Sequence, residues 1–456
     1  MAARQVSAPQ RRSILKVLMI SLLLDLISFT FILPLFPSLL TFYRGKDPSP
    51  TSLLNRIFHY LNAYKNSFAR PIDSRYDIVL LGGALGSLFS FLQAIAAPFI
   101  GRLSDKHGRR TALLCSMVGN ILSVALWVAA TDFRTFLASR IVGGLSEGNV
   151  QLSNAIATDI SDESQRGSTM ALVGACFSIA FTCGPALGAA LSNITTVAAN
   201  PFATAAAVSL FLIVLETTYL YRYLPETHPR LSKFHTTSDS EPAPSNGAKT
   251  PSAKSTPRKH TNNPALLNFI HLLFLLPFSG MEFSLPFLTA TLYAGRSDSS
   301  PSALNGRLLS LMGLIASLLQ GTVVRRLPPL VTVRAGVVAC AISFFLLAHV
   351  STITGLYVAG SLLAITSATV VTGLNSLGSF EAREGERGIV LGRLRSWGQV
   401  GRAAGPVLFC SLFWWAGREV AYTTGGFAML AVCLAVFSTL RSPVIASAGT
   451  EESKAN

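Results

Sequence analysis

The chain has 456 residues, 50% of them hydrophobic and 13% charged, where an ordinary soluble protein carries roughly 25% charged residues. So little polar surface excludes a soluble domain. The net charge of +15 is scattered over short connections between apolar runs, which excludes a nucleic-acid-binding face and matches the positive bias of membrane loops.

A helix needs roughly 20 apolar residues to cross about 30 Å of hydrocarbon. Twelve runs qualify: 15–41, 77–100, 111–131, 135–158, 167–191, 202–223, 265–294, 305–324, 335–350, 353–378, 388–414 and 420–440. The predicted fold class is therefore an all-α membrane protein with twelve transmembrane helices. The first run lacks a small-residue cleavage site and reads as a retained anchor. An even number of spans puts both termini on one side. That side receives 23 of the 37 Lys and Arg, the other side receives 10, and the excess makes it the cytoplasmic one.

In chain order, residues 1–14 form a cytoplasmic tail, 15–223 a six-helix bundle, 224–264 a linker, 265–440 a second six-helix bundle and 441–456 a second tail. The linker is rich in Ser, Thr, Pro and Lys without apolar periodicity, which predicts disorder. The bundles repeat one another. At an offset of 221 residues, Asn154, Glu163, Arg166 and Gly167 fall on Asn375, Glu384, Arg387 and Gly388, and Gly184-Pro185 falls on Gly405-Pro406.

A charge inside hydrocarbon costs about 2.5 to 3.5 kcal/mol on insertion scales, so each is expected to face a cavity or a partner. Asp25 stands in LLLDLISFTFILPLFPSLL at 22–40, about 13 Å beyond Lys16 and near mid-bilayer. In the fourth run Arg140, Gly144, Glu147, Gln151, Asn154 and Thr158 recur at helical spacing. They predict a polar face about 27 Å long, either a wet wall or a polar seam between helices. In the eleventh run Arg395, Gln399, Arg402 and Pro406 share a face. Two guanidinium forks suit a carboxylate or sulfonate, or they bridge to Glu147, Glu282 or Glu386. Glu282 lies among Phe278, Phe283 and Phe287, where a carboxylate can meet an amphipathic molecule or exchange protons.

The turn GRLSDKHGRR at 101–110 resembles the signature of the major facilitator superfamily between its second and third helices. The opening tract, LASRIVGG at 137–144 and CGPALGA at 183–189 are similar to motifs of its drug and proton antiporters, although Ala189 stands where a second glycine is usual. ATDISDESQRG, FSGMEF at 278–283 and LRSWGQVGRAAGP at 394–406 extend the resemblance to eukaryotic tetracycline transporter-like, organic-anion-transporting members.

The resemblance implies two bundles rocking around a central cavity, lined by the first, fourth, seventh and tenth helices. Supporting helices should then lack charge, and span six holds only Glu216. It further implies a gate at Gly101, Asp105, Gly108, Arg109, Arg110 and Asp159, with Asp105 capping the segment at Gly388 and Arg109 pairing with Asp159 in the outward-facing state. QGTVVRRLPPL at 320–330 has no aspartate, so the second half lacks this latch.

The expected activity is secondary transport of amphipathic organic anions or drug-like molecules by alternating access, as a proton antiporter, with a facilitative uniporter or a non-transporting scaffold as alternatives. Asp25, Glu147 and Glu282 are the proton-coupling candidates. Arg140, Gln151, Asn154, Glu282, Arg395, Gln399 and Arg402 are the substrate-binding candidates. Gly184, Pro185, Gly405 and Pro406 mark helix bends or close packing. No phosphate loop, nucleophile elbow or metal spacing is present, so no enzyme, cofactor or metal is expected. The expected partners are a small organic anion, protons and the lipid bilayer around a monomer, at the plasma membrane or an intracellular one. Asn193 heads a sequon too close to the membrane for use.

Overall fold

The computed structural model describes residues 7–46, 49, 51–68, 77–192, 194, 197, 200–231, 261–293 and 301–443. Asn193 and most of the linker, 232–260, lie outside them. The first span comprises α1 (Ala8–Thr30) and α2 (Ile32–Lys46), and α3 (Leu53–Asn66) follows in the first connection. The second to sixth spans are α4 (Asp77–His107), α5 (Arg109–Ala129), the pair α6 (Phe133–Ser146) and α7 (Asn149–Asp159), α8 (Arg166–Ser192) and α9 (Ala203–Tyr223). The second half runs through α10 (Pro264–Tyr293), α11 (Pro301–Leu319), α12 (Pro329–His349), α13 (Ile353–Glu381), α14 (Arg387–Ala416) and α15 (Arg418–Thr439).

Ten helices among the described residues are long and apolar enough to cross a membrane unaided. The two spans outside that set are the fourth, which is broken in two, and the eleventh, which carries Arg393, Arg395 and Arg402. Both need protein neighbours to make their polar groups tolerable in hydrocarbon. With them the chain is a twelve-span, all-helical, multi-pass membrane protein.

Buried apolar side chains sort into two large clusters. One joins Leu18, Leu22, Met117, Phe136, Ile156 and Leu220 of α1 to α9. The other joins Phe274, Phe287, Val337, Phe344, Leu363 and Tyr422 of α10 to α15, and takes in Leu80 and Ala155 from the first half.

Three local expectations are corrected, and one further helix is found. The first span is not one helix: α1 starts seven residues earlier than expected and stops at Thr30, since Pro34 has no N–H to offer the Thr30 carbonyl four residues back. Thr30 Oγ1 instead donates to Leu26 O and Ile27 O within its own helix. The fourth span breaks at Glu147-Gly148, so the expected continuous polar face does not exist. An amphipathic helix, α3, occupies the loop that followed the first run, capped by Ser52 and seated through Leu54 and Phe58. Finally, both described ends of the linker are ordered. Glu226 packs on the start of α5, and Glu381 accepts from the N–H groups of Thr261 and Asn262 ahead of α10.

Candidate functional site

The α4–α5 turn defines one end of the bundle, called here the motif side. Gly108 turns it with φ +98°, a left-handed conformation that favours glycine. The carboxylate of Asp105 bridges the halves: Oδ1 accepts from the Gly388 N–H at 2.9 Å and Oδ2 from the Ile389 N–H at 2.7 Å, at the start of α14. A negative group belongs there, because the first amides of a helix lack internal partners and the helix dipole is positive. Gly101 and Gly388 let the backbones meet, and a Cβ on either would collide with the other's carbonyl.

Behind this contact Arg109 is fully buried. Its Nε donates to Asp159 Oδ2 at 2.7 Å, and its Nη1 donates to Asp105 and to Ser104 Oγ. Asp159 also accepts from Arg387 Nη1 of the second half at 2.9 Å. The motif side is thus sealed by one buried network of two arginines and two aspartates. Arg110 lies outside it, donating to Tyr221 O.

Sequence reasoning missed Glu226. Its carboxylate accepts from the N–H groups of Arg109 and Arg110, capping α5, and from those of Thr227 and His228. The signal was an acid directly after the sixth span, in LPETHPR at 224–230. The second half has no counterpart of Asp105. There the chain makes a π turn at Gln320–Val324, and Gln320 accepts from Ser178 Oγ of α8 at 2.6 Å while donating to Ala368 O at 3.2 Å.

Deeper in the first half, Asp25, Arg140 and Glu147 line a partly open cavity of about 30 Å³ between α1, α4, α5, α6 and α9. Its other walls include Ser28, Asn120, Ser123 and Ser209. It has room for water. Arg140 faces this chamber and stacks near Phe136 and Phe89.

The break between α6 and α7 is what aims Glu147 here. Ser116 of α5 fills the gap in the helical ladder, donating to Ser146 O and accepting from the Gly148 N–H at 2.9 Å. The SEGN sequence at 146–149 carried that signal. Gln151 and Asn154, past the break, are buried rather than lining a wet wall, and Gln151 Nε2 donates to Ala97 O of α4 at 2.9 Å.

In the second half Arg395, Gln399 and Arg402 lie on one face of α14. Arg395 reaches across to α4, its Nη2 3.4 Å from Gln93 Oε1, and stands within electrostatic range of Asp25 and Glu147. Arg395 Nε and Gln399 Oε1 have no hydrogen-bond partner among the described residues. Arg402 pairs loosely with Glu282 of α10, 3.8 Å apart, with side chains 43% and 37% exposed. This mid-span ion pair is accessible, whereas the Asp159 pairs on the motif side are buried.

The proline motifs resolve into close packing. Pro185 and Pro406 sit inside uninterrupted helices. Gly184 and Gly188 of α8 press on Thr30 and on the Phe31 backbone, at the interruption of the first span. Gly405 of α14 presses on Ser279 and Leu276 O of α10, the equivalent contact in the second half.

Two six-span halves, a buried ion network closing one end and accessible mid-membrane charges define a membrane transporter, not an enzyme. Residues 18–406 match the model of the Major Facilitator Superfamily, and the chain belongs to that family. It is 34% identical over 443 residues to mouse "Major facilitator superfamily domain-containing protein 10", covering 94% of this chain and 91% of that one. The crystal structure of the human organic anion transporter MFSD10 (TETRAN) superposes with a TM-score of 0.81 at 31% identity, covering 94% of this chain and 100% of that one. A shorter stretch, 32% of the chain and 36% of the relative, is 32% identical to the class G tetracycline resistance protein of Vibrio anguillarum.

Proposed function

We propose that this protein is a secondary active transporter that moves amphipathic organic anions or drug-like molecules by alternating access, in exchange for protons. It acts as a monomer with both termini in the cytoplasm. The observation that carries the reading is the α14 face: an unpartnered Arg395 Nε, an unpartnered Gln399 Oε1 and a loose, accessible Arg402–Glu282 pair. An anion arriving there takes the guanidinium of Arg402 bidentately and displaces Glu282, with the partly buried Phe283 of α10 beside it for an apolar body. The organic anion transport named for the human relative supports that substrate class.

Glu282 released from Arg402 is free to take a proton, which couples anion arrival to protonation. Asp25 and Glu147, in range of Arg395 from the other half, provide the second proton site. The Asp105, Arg109, Asp159 and Arg387 network is the gate that opens when the halves rock. Gln151 and Asn154 are freed only then.

Uptake into proteoliposomes, with a panel of organic anions and cations and with or without an imposed pH gradient, tests this directly. Anions should move and a proton gradient should drive them. Movement of anions without any response to pH would make the protein a uniporter, and no movement of any anion would sink the proposal.

A further inference from the structure

The sixth span carries a carboxyl group that the gate and the anion face leave unused. Glu216 of α9 is 1% exposed, and Ser21 Oγ of α1 donates to its Oε1 at 2.7 Å. Its Oε2 has no partner among the described residues. One turn along α1 stands Asp25, 3% exposed, whose Oδ2 is likewise unpartnered. One further turn on, Ser28 and Ser209 share a hydroxyl contact of 2.6 Å. The positions 21, 25 and 28 on α1 thus run against 216, 213 and 209 on α9, as i, i+4, i+7 faces of two helices must. Asp25, Ser28, Ser209 and Ile213 all line the chamber of about 30 Å³, and Glu216 sits one turn beyond its wall.

The charged and titratable groups around Glu216 are mostly acids. From α1 comes Asp25, and from the α6–α7 break comes Glu147, with Arg140 on the far side of the chamber. From α5 come Asn120 and Ser123, and from α8 comes Cys176, whose Sγ lies 3.8 Å from Met19 O. Two buried acids, Asp25 and Glu147, thus line the chamber with Arg140, Glu216 lies one turn beyond its wall, and Arg395 of α14 stands within range of Asp25 and Glu147. An unpaired carboxylate buried in hydrocarbon is costly, and a second carboxylate nearby raises that cost, so protons must be held among these groups.

We propose that Glu216 is a second proton-holding site behind Asp25, one turn away along the seam between α1 and α9. The proton released by Asp25 becomes the proton on Glu216, so that one acid is neutral and one charged before and after transfer, and the first half never carries both charges at once. This rests on the antiport reading. It differs from a structural pin between α1 and α9, which would set stability alone.

The test compares proton-driven exchange by wild type and Glu216→Gln in proteoliposomes across a range of pH. Two interacting acids titrate as a pair in two steps. Wild type should show a two-step pH profile, Glu216→Gln a single step, and Glu216→Asp the two steps again. A wild type indifferent to pH overturns the antiport reading. A pH-dependent wild type whose profile Glu216→Gln leaves unchanged overturns this inference alone. Infrared difference spectra of Ser21→Ala, which keeps both acids, provide a check if Glu216→Gln fails to fold. Loss of the Ser21 hydrogen bond should move one carboxylic-acid C=O band to higher frequency, and bands identical to wild type overturn the inference.

Discussion

Arg166 and Arg387, 221 residues apart in the repeat, make reciprocal bonds across the two halves: Arg387 Nη1 donates to Thr158 O at 3.1 Å, and Arg166 Nη1 donates to Ser379 O at 3.5 Å. Thr158 and Ser379 are separated by the same 221 residues, so the repeat has become a pair of crossed clasps. The clasps differ in what lies one residue further on. Arg387 meets the carboxylate of Asp159, whereas Arg166 lies over the ring of Phe380 at 5.1 Å. The first half therefore offers charge and the second an aromatic face, and Arg109, which shares Asp159, ties the charged clasp to the α4–α5 turn.

Arg387→Ala removes one partner of a buried ion pair and should cost about 3–5 kcal/mol. Thermal unfolding of the purified protein in detergent reads the loss, and a melt equal to that of the wild type would contradict the account.

Both amide partners of Asp105 belong to the other half, so its carboxylate ties the two halves together at the motif side. Asp105→Asn keeps one acceptor and loses the charge that favours a helix start, at about 1 kcal/mol or more. The expected outcome is greater labelling, from the motif side, of a cysteine introduced at the Gly392 level of α14. Labelling equal to the parent's would remove Asp105 from the gate.

The sequence revealed the helices and the motif-side residues because hydrocarbon and repeat leave strong signals: long apolar runs, and glycines and aspartates spaced within one short turn. Asp105, Arg109 and Asp159 could be named because that turn resembles a family signature, not from spacing alone. The inner site was less legible. Asp25, Arg140 and Glu147 were visible as charges in apolar runs, but whether they faced a central space or a chamber within one half depends on the break at Gly148, a tertiary device held by Ser116 of another helix. Glu226 and Gln93 reach partners far away in sequence, the α5 amides and Arg395. The acid in LPETHPR marks Glu226 without revealing the α5 amides that it caps.

Ser116→Ala tests the break itself. It leaves the Ser146 carbonyl and the Gly148 N–H without their hydroxyl partner, at about 1–3 kcal/mol for buried groups left unmade. A matching loss should accompany Ser116→Cys, a weak donor of similar size, whereas Ser116→Thr should retain most stability if its methyl fits. Thermal melts of the three variants decide, and wild-type stability of Ser116→Ala would show that the break needs no support.

Gly184→Ala should collide with Thr30 Oγ1 and Cβ, and Gly188→Ala with the Phe31 backbone. The side-chain collision can be relieved and the backbone one cannot. Gly184→Ala alone should cost about 1–3 kcal/mol as overpacking, and combining it with Thr30→Ala should recover part of that. Gly188→Ala should have no single-site rescue in α2. Failure of Thr30→Ala to rescue any stability in the double variant would show that the cost arises elsewhere in α8.

The charge preference of the transporter should follow the Arg402–Glu282 pair. Arg402→Gln leaves Glu282 unpaired on an accessible face, so uptake of organic anions should fall roughly tenfold or more, the equivalent of about 1.4 kcal/mol in binding. Arg402→Lys retains the charge but loses the planar fork, and should weaken carboxylates and sulfonates less than Arg402→Gln does. Glu282→Gln frees Arg402 for the anion and removes the competing carboxylate. It should therefore lower the half-saturating anion concentration while weakening the response to a pH gradient. Initial rates against anion concentration, with and without the gradient, separate the two effects. A Glu282→Gln protein with unchanged affinity and unchanged gradient response would show that the ion pair is structural and that the anion binds elsewhere.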